Sequence, residues 1–239
     1  MGAIYRREMG AFFTSGVAYV FLVVFYFVSG IFFYNYVLAA GVADVSPVFQ
    51  SMFLVVMFLI PILTMKLLSE EKKNRTDQGL LTAPVGLWEI VLGKYFAALT
   101  LFIIAESIVF VYAIILSALG NVVWQTLIGN YFAMLFLGAA FIAVGLFVSS
   151  LTENQITAAI ISLVVLFVIY LSEMLAANFE NGNKLQQLAY KAITTIAFYS
   201  KYNEFTNGVF SLPSIVFFIS VAFLFNFFTV RVLEKRRWS

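Results

Sequence analysis

Six apolar runs, each long enough to cross a lipid bilayer as a helix, constrain the fold of this chain more than any other feature. A helix needs roughly 20 apolar residues to cross the hydrocarbon core, and lipid-exposed backbone outside helices or closed barrels would lack hydrogen-bond partners. The sequence therefore predicts an all-α membrane protein with six transmembrane helices. The predicted spans are Val17 to Leu38, Val48 to Leu68, Ile90 to Leu119, Trp124 to Ser150, Ile156 to Ala177 and Ser214 to Val232.

The composition agrees with a membrane protein and excludes most kinds of catalytic site. Only 11% of the 239 residues are charged, whereas a soluble domain has about 25%. The absence of His and Cys excludes disulfides, thiolate or imidazole metal ligands, and Ser-His or Cys-His nucleophilic pairs. A net charge of +2 is too small to indicate nucleic-acid binding. We expect one transmembrane domain over residues 1–239, with no catalytic, cofactor or metal site.

The positions of Lys and Arg predict the orientation of the spans, because cytoplasmic loops are enriched in these residues. With the N-terminus inside, 11 of the 14 cations are cytoplasmic and 3 are outside. The outer cations are Lys184, Lys191 and Lys201. The inner cations are Arg6, Arg7, Lys66, Lys72, Lys73, Arg75, Lys94, Arg231, Lys235, Arg236 and Arg237. Both termini are therefore expected in the cytoplasm.

The residues before the first span, 3–15, predict an amphipathic helix that lies in the cytoplasmic membrane interface. Its apolar residues recur at helical spacing, and its charged residues occupy the other side. The apolar face is expected to hold Tyr5, Met9, Phe12 and Phe13, and the charged face Arg6, Arg7 and Glu8. A basic flank that only fixes the topology is the simpler interpretation, and the two are compatible.

The loop after the second span, residues 69–88, is charged in its first half and apolar in its second. A connector that only has to be solvated does not need the apolar half. We therefore expect a docking element for a cytoplasmic partner, with a charged topology loop as the alternative. The loop includes Glu70, Glu71, Lys72, Arg75, Thr76, Gln78, Leu80, Leu81 and Pro84.

The stretch GLWEIVLGKY, from Gly86 to Tyr95, faintly resembles a phosphate-binding loop but fails the pattern. Six residues rather than four separate Gly86 from Gly93, and Lys94 is followed by Tyr95 instead of Ser or Thr. We therefore expect no nucleotide site in this chain.

The segment between the fifth and sixth spans, residues 178–212, is expected outside the cell and predicts a second amphipathic helix. Its apolar positions are Leu185, Leu188, Ala189, Ala192, Ile193 and Ile196. The aromatic residues after it are Phe198, Tyr199, Tyr202, Phe205 and Phe210. This segment either lies on the bilayer face, or closes the outer end of a pathway, or forms a packed structural cap.

Two acids lie within spans. Glu106 is near the middle of the third span, and Glu173 is towards the outer end of the fifth, with Tyr170 three residues before it. A carboxylate at the membrane centre costs at least about 2.5–3.5 kcal/mol on insertion scales, so it usually faces a protein interior or water. Each acid therefore marks a transport pathway or ties helices together. Separately, Gly138, Gly145 and Ser149 share one face of the fourth span, which favours close helix packing.

The order of these parts resembles the permease subunit of an exporter-class (type-2) ABC transporter, and the short gliding-motility permeases most closely. The resemblance rests on the segment Arg7 to Phe33, on PILTMKLLSEEKKNRTDQGLLTAPVGLWEIVLGKYFAAL from Pro61 to Leu99, on Phe198 to Leu212, and on VLEKRRW from Val232 to Trp238. It implies an elbow helix over residues 3–15 and a coupling helix within Ser69 to Pro84 that sits in a groove of an ATPase.

The resemblance also implies the assembly. Two permeases, identical or related, pair in a bacterial cell membrane and bind two separate ATPase subunits, which hold ATP and Mg. An accessory membrane protein is a further possible partner. The family usually has Gly, Glu and Leu where this chain has Arg75, Gln78 and Gly79. These departures suggest a specialised ATPase partner.

The leading functional hypothesis is a permease that exports a substrate by ATP-driven alternating access. A second hypothesis is a secondary transporter in which Glu106 carries a proton, although the chain lacks the repeated halves common in such folds. A third is a membrane motor or scaffold that uses its partner's ATP hydrolysis without transporting a substrate.

Overall fold

The computed structural model describes residues 1–76, 78–79, 85–119, 122–179, 183–208 and 211–237 of the chain. Within these ranges the fold is all-helical, as predicted. The helices are α1 (Gly2–Thr14), α2 (Val17–Phe33), α3 (Ser46–Thr64), α4 (Lys66–Lys73), α5 (Leu87–Glu106), α6 (Ile108–Leu119), α7 (Trp124–Leu151), α8 (Gln155–Ala176), α9 (Lys184–Thr195), α10 (Phe198–Thr206) and α11 (Leu212–Arg237). A π-helical turn, Tyr34–Leu38, extends α2.

Six stretches of the described chain are long and apolar enough to cross a membrane, which confirms the predicted number of spans. They are Val17–Leu38, Ser46–Lys73, Leu87–Ala118, Trp124–Leu151, Gln155–Ala176 and Leu212–Arg237. The second and sixth are longer than predicted because their helices continue into charged residues that an apolar scan leaves out. The predicted loop at residues 69–73 is therefore part of a helix.

Two of the six spans are interrupted within their length. The second breaks at Met65, between α3 and α4, and the third breaks at Ser107, between α5 and α6. The sequence predicts a kink at Pro61, which lies inside α3. The helix is interrupted four residues later at Met65, whose N–H still donates to the Pro61 carbonyl at 3.0 Å.

The centre of the bundle is α7, which packs against α3, α4, α5, α8, α10 and α11. The predicted small-residue face explains how its neighbours approach so closely. A β-carbon at Gly138 would overlap the ring of Phe102, and one at Gly145 would overlap the side chain of Thr64. The close-packing role expected for this face is therefore confirmed.

The first and last described residues lie at one end of the bundle, which we call the basic end: residues 1–15, 66–76, 78–79, 85–89, 150–155 and 231–237. Ion pairs and hydrogen bonds join these segments to one another. The opposite end, called the far end, holds residues 39–46, 122–124, 177–179, 183–208 and 211–212. There Gln50 donates to Thr206, and Asn130 donates to Ser46, both at 3.3 Å.

The predicted segment at the far end forms two helices, α9 and α10. Phe198, Tyr202 and Phe205 of α10 are buried against the bundle, which corresponds to a packed cap. Burial raises the pKa of Tyr202 far above its usual value, so its hydroxyl stays protonated and donates to the Phe49 carbonyl at 2.8 Å. Phe210 lies outside the described residues.

The N-terminal helix α1 packs along α5, and the residues of its expected apolar face, Tyr5, Met9, Phe12 and Phe13, are buried or partly buried against the core. Its buried residues are Ile4, Glu8 and Phe12, and Gly93 of α5 leaves the space that Ile4 occupies. Phe13 is half-buried, while Arg6 and Arg7 are exposed as expected. The expectation that Glu8 lies on the exposed face was wrong, because an ion pair holds it inside.

Candidate functional site

Four charged side chains from three helices meet at the basic end, and we call them the charge cluster: Arg7, Glu8, Glu71 and Lys94. The Lys94 ammonium lies 2.9 Å from the Glu8 carboxylate and 3.0 Å from that of Glu71. Arg7 donates to Glu8 at 2.6 Å and also to Glu71. The cluster therefore connects α1, α4 and α5.

The charge cluster is balanced, which allows it to be buried. Lys94 is only 1% exposed, and an isolated buried ammonium would be strongly unfavourable unless paired and hydrogen-bonded. Partial burial by itself lowers the pKa of Arg7, but the Glu8 and Glu71 carboxylates outweigh that effect and raise the pKa above its ordinary value. Two cations thus share two carboxylates, and removing Lys94, Glu8 or Glu71 upsets the charge balance of the buried part of the cluster.

A cleft of about 400 Å³ opens beside the charge cluster at the basic end. Its walls come from α1 and from α4 with the turn that follows it. They include Thr14, Lys66, Glu70, Asn74 and Thr76. The predicted coupling residues Glu70, Glu71 and Thr76 therefore lie together at one concave surface, which is bordered by α1.

The joint between α3 and α4 is held by Ser149 of α7. The Ser149 hydroxyl accepts hydrogen bonds from the backbone N–H groups of Leu68 and Ser69 and donates one to the Met65 carbonyl, all at 3.1 Å. Backbone groups released by the break at Met65 thus find partners, as buried polar groups must. The close contact at Gly145, one turn earlier, brings α7 within reach of this joint.

The end of α4 has the geometry of a Schellman cap. The N–H of Arg75 donates to the Lys72 carbonyl at 3.2 Å, and the N–H of Thr76 donates to the Glu71 carbonyl at 3.0 Å. In this motif the residue after the cap adopts a left-handed conformation, usually as Gly. Arg75 takes that place with φ of 55°. Arg75 therefore occupies a backbone conformation that glycine adopts most readily.

The remaining predicted coupling residues divide into two groups. The Lys72 ammonium lies 3.2 Å from the Glu153 carboxylate on the α7–α8 connection, and Gln78 follows the turn in a short helical piece. Leu80, Leu81 and Pro84 lie outside the described residues.

Gly86 to Tyr95, the stretch that faintly resembles a phosphate-binding loop, enters the first turns of α5.

The two acids in the spans have different environments. Glu173 accepts hydrogen bonds from the backbone of Tyr199 at 3.0 Å and Ser200 at 2.5 Å, and from the Ser200 hydroxyl. It therefore caps the first turn of α10, where a negative charge is favoured. Tyr170 packs against the rings of Phe53 and Tyr199. This geometry is that of a structural tie between α8 and α10.

The hydrogen bonding of Glu106 differs from that of Glu173. It is fully buried, and neither carboxyl oxygen has a hydrogen-bond partner among the described residues. The candidate pathway residues therefore do not form one polar path in this conformation. Glu173 and Tyr170 belong to the far end, and Glu106 lies at the break in the third span.

Sequence reasoning missed three residues of the candidate site: Glu8, Lys94 and Ser149. The charge count identifies Lys94 only as a cation that sets the topology. A lone Lys at the start of a long apolar run nevertheless indicates that its ammonium group needs a carboxylate partner. Ser149 was assigned to helix packing alone. Its capping role depends on a break in another helix and leaves no trace in its own surroundings.

The comparisons with known proteins agree with this architecture. The family model described as ABC-2 family transporter protein matches residues 3–230, which is nearly the whole chain. No curated protein matches the sequence.

Proposed function

Because the chain belongs to the ABC-2 family of transporter proteins and is a membrane permease subunit, we propose that it couples ATP hydrolysis by a separate ATPase subunit to the export of a substrate. The observation that carries this proposal is the charge cluster. It joins α4, at the start of the predicted ATPase-docking segment, to the elbow helix and to the third span.

The coupling step follows from these contacts. A force that the ATPase exerts on the segment after α4 displaces α4. This helix is hinged at Met65, whose carbonyl accepts a hydrogen bond from Ser149. Glu71 transmits the displacement to Lys94 of α5 and to Arg7 of α1, since it binds both. The second and third spans and the elbow helix therefore move together when the ATPase moves.

The assembly that we propose has two permeases and two ATPase subunits in a bacterial cell membrane, with ATP and Mg bound by the ATPase. A second permease, identical or related, is supported by the exposed apolar surfaces of single spans. Only 17% of the most apolar window of α8 is buried, against 72% in α7. The substrate pathway lies between the two permeases, and an accessory membrane protein is a further partner.

The docking part of the proposal is tested by reversing exposed charges at the turn after α4. Lys73→Glu with Arg75→Glu changes two exposed side chains outside the charge cluster. The tagged chain is purified from its own host, and the bound ABC-type ATPase is identified and its ATP hydrolysis measured. We expect at least a tenfold loss of the co-purified ATPase.

The matched control is Lys191→Glu, which reverses an exposed charge on α9 at the far end. It should leave recovery of the ATPase unchanged. Equal recovery with the double variant and with the control would contradict docking at this turn. Absence of any ATPase from the unaltered complex would contradict the function itself.

A further inference from the structure

Glu106 is a buried acid that the coupling mechanism does not use. It is the last residue of α5, next to the break at Ser107, and its exposure is 0%. Both carboxyl oxygens lack a hydrogen-bond partner among the described residues. By contrast, Glu173 accepts three hydrogen bonds.

The surroundings of Glu106 offer no compensation for a negative charge. A small cavity beside it is lined by side chains of α2, α3, α6 and α7, nearly all of them apolar. No Lys or Arg is among these lining residues. The two other polar ones, Ser29 and Tyr112, hydrogen-bond to each other at 2.7 Å.

The titratable groups that face Glu106 are tyrosines. Tyr112 of α6 lines the cavity, and Tyr131 of α7 and Tyr202 of α10 are near enough to interact with the carboxyl group electrostatically. The side chains that α2 and α3 contribute to the cavity are not titratable. An unpaired carboxylate in such a place is so unfavourable that the group takes up a proton instead.

A small cavity lies beside the carboxyl group of Glu106. Its volume is about 20 Å³, and a cavity of roughly 10–15 Å³ is enough to hold one water molecule. Its lining is apolar in this conformation, and apolar cavities of this kind stay dry. Ser29 and Tyr112 supply the hydroxyl groups of its lining.

We propose that Glu106 is a proton-binding site, occupied in this conformation and emptied when the bundle changes shape during transport. On opening, the carboxylic acid transfers its proton to a water molecule in the enlarged cavity, which leaves a carboxylate and a hydronium ion. On closing, the carboxylate takes a proton back from a hydronium ion, which leaves a water molecule. The release step rests on the proposed transport cycle, whereas occupancy in the resting state does not.

The experiment is infrared spectroscopy of the purified chain in lipid at about pH 8, in which the spectrum of each variant is subtracted from that of the unaltered protein. Free Asp and Glu titrate near about 3.9 and 4.3, so exposed carboxyl groups are ionised at this pH. We expect the unaltered protein to show a C=O band of a protonated carboxylic acid. The band should be lost in Glu106→Gln and kept in Glu173→Gln.

A second measurement does not depend on a variant. Carboxyl-¹³C-glutamate incorporated into the unaltered protein should shift the same band, even if Glu106→Gln fails to fold. A missing band, a band that the label does not shift, or a band that persists in folded Glu106→Gln would overturn the occupied proton site.

Proton release is tested in the complex with the ATPase. The resting complex is compared with the complex trapped by ATP and vanadate. We expect the band to weaken on trapping, whereas an unchanged band would overturn the release step. If the ATPase does not bind at all, the proposed function fails while the resting spectrum still decides the proton site.

Discussion

Lys94 is the residue on which the basic end depends most. Its ammonium group is buried between the Glu8 and Glu71 carboxylates. Arg7 bridges the same two carboxylates from the exposed side. The functional consequence is that α1, α4 and α5 behave as one unit. A single methionine at this position tests that idea, because it keeps the length of the side chain and removes the charge.

We expect Lys94→Met to lower the free energy of unfolding by about 3–5 kcal/mol, since it leaves a buried carboxylate uncompensated. Thermal unfolding in detergent measures the loss, with the exposed Lys191→Met as the control. Adding Glu71→Gln to Lys94→Met should cost less than the two single changes summed, because the pair interacts. Strict additivity would contradict the proposed ion pair.

Arg75 carries the second prediction at this scale. Its φ of 55° is a left-handed conformation that costs an ordinary residue about 1 kcal/mol relative to glycine. Arg75→Gly should therefore slow hydrogen exchange of the last amides of α4. Arg75→Ala removes the same side chain without relieving the backbone, so it should not slow exchange. Equal exchange in both variants would argue against the Schellman cap.

Among the helices, the joint between α3 and α4 determines how a displacement of α4 is transmitted to the rest of the bundle. Ser149 and Gly145 belong to the same face of α7, yet they contribute in different ways. Gly145 allows the helices to approach, and Ser149 binds the backbone groups that the break leaves without helical partners. The two effects are separable by substitution.

Ser149→Ala should destabilise the joint by about 1–3 kcal/mol, because two buried N–H groups lose their acceptor. Hydrogen exchange at Leu68 and Ser69 should accelerate, while exchange in the middle of α7 stays as it is. Gly10→Ala is the matched control, since no side chain lies near that position. Unchanged exchange at Leu68 and Ser69 would contradict the role of the hydroxyl.

At the scale of the whole molecule, the basic and far ends are chemically different surfaces of one bundle. The charge distribution predicts that the basic end is cytoplasmic. The chain has no cysteine of its own, so single cysteines can report the orientation without further changes. Asn74 at the basic end and Asn207 at the far end are both exposed.

We expect a membrane-impermeant maleimide to label Asn207→Cys in intact cells. Asn74→Cys should be labelled only after the membrane is permeabilised. Labelling on a protein gel is the measurement, and the cysteine-free chain is the control for background. The reverse pattern would place both termini outside and would rule out docking of a cytoplasmic ATPase at α4.

Much of the fold was predictable because a bilayer imposes long apolar helices on any chain that crosses it. The span Val17–Leu38 has the predicted ends. The second span extends further than predicted because α4 is charged. Glu8 was misplaced because the periodicity of the apolar residues in α1 cannot reveal a buried ion pair with another helix.

The class of this protein, the number of its spans and the segment most similar to a coupling helix can be predicted from the sequence alone. Each of these depends on local composition and on the order of segments along the chain. The packing of the helices was needed to show that Lys94 contacts Glu8 and Glu71, that Glu173 caps α10, and that Glu106 has no partner among the described residues. Those outcomes depend on how each helix is rotated, and spans that are apolar on nearly every side carry little signal of rotation.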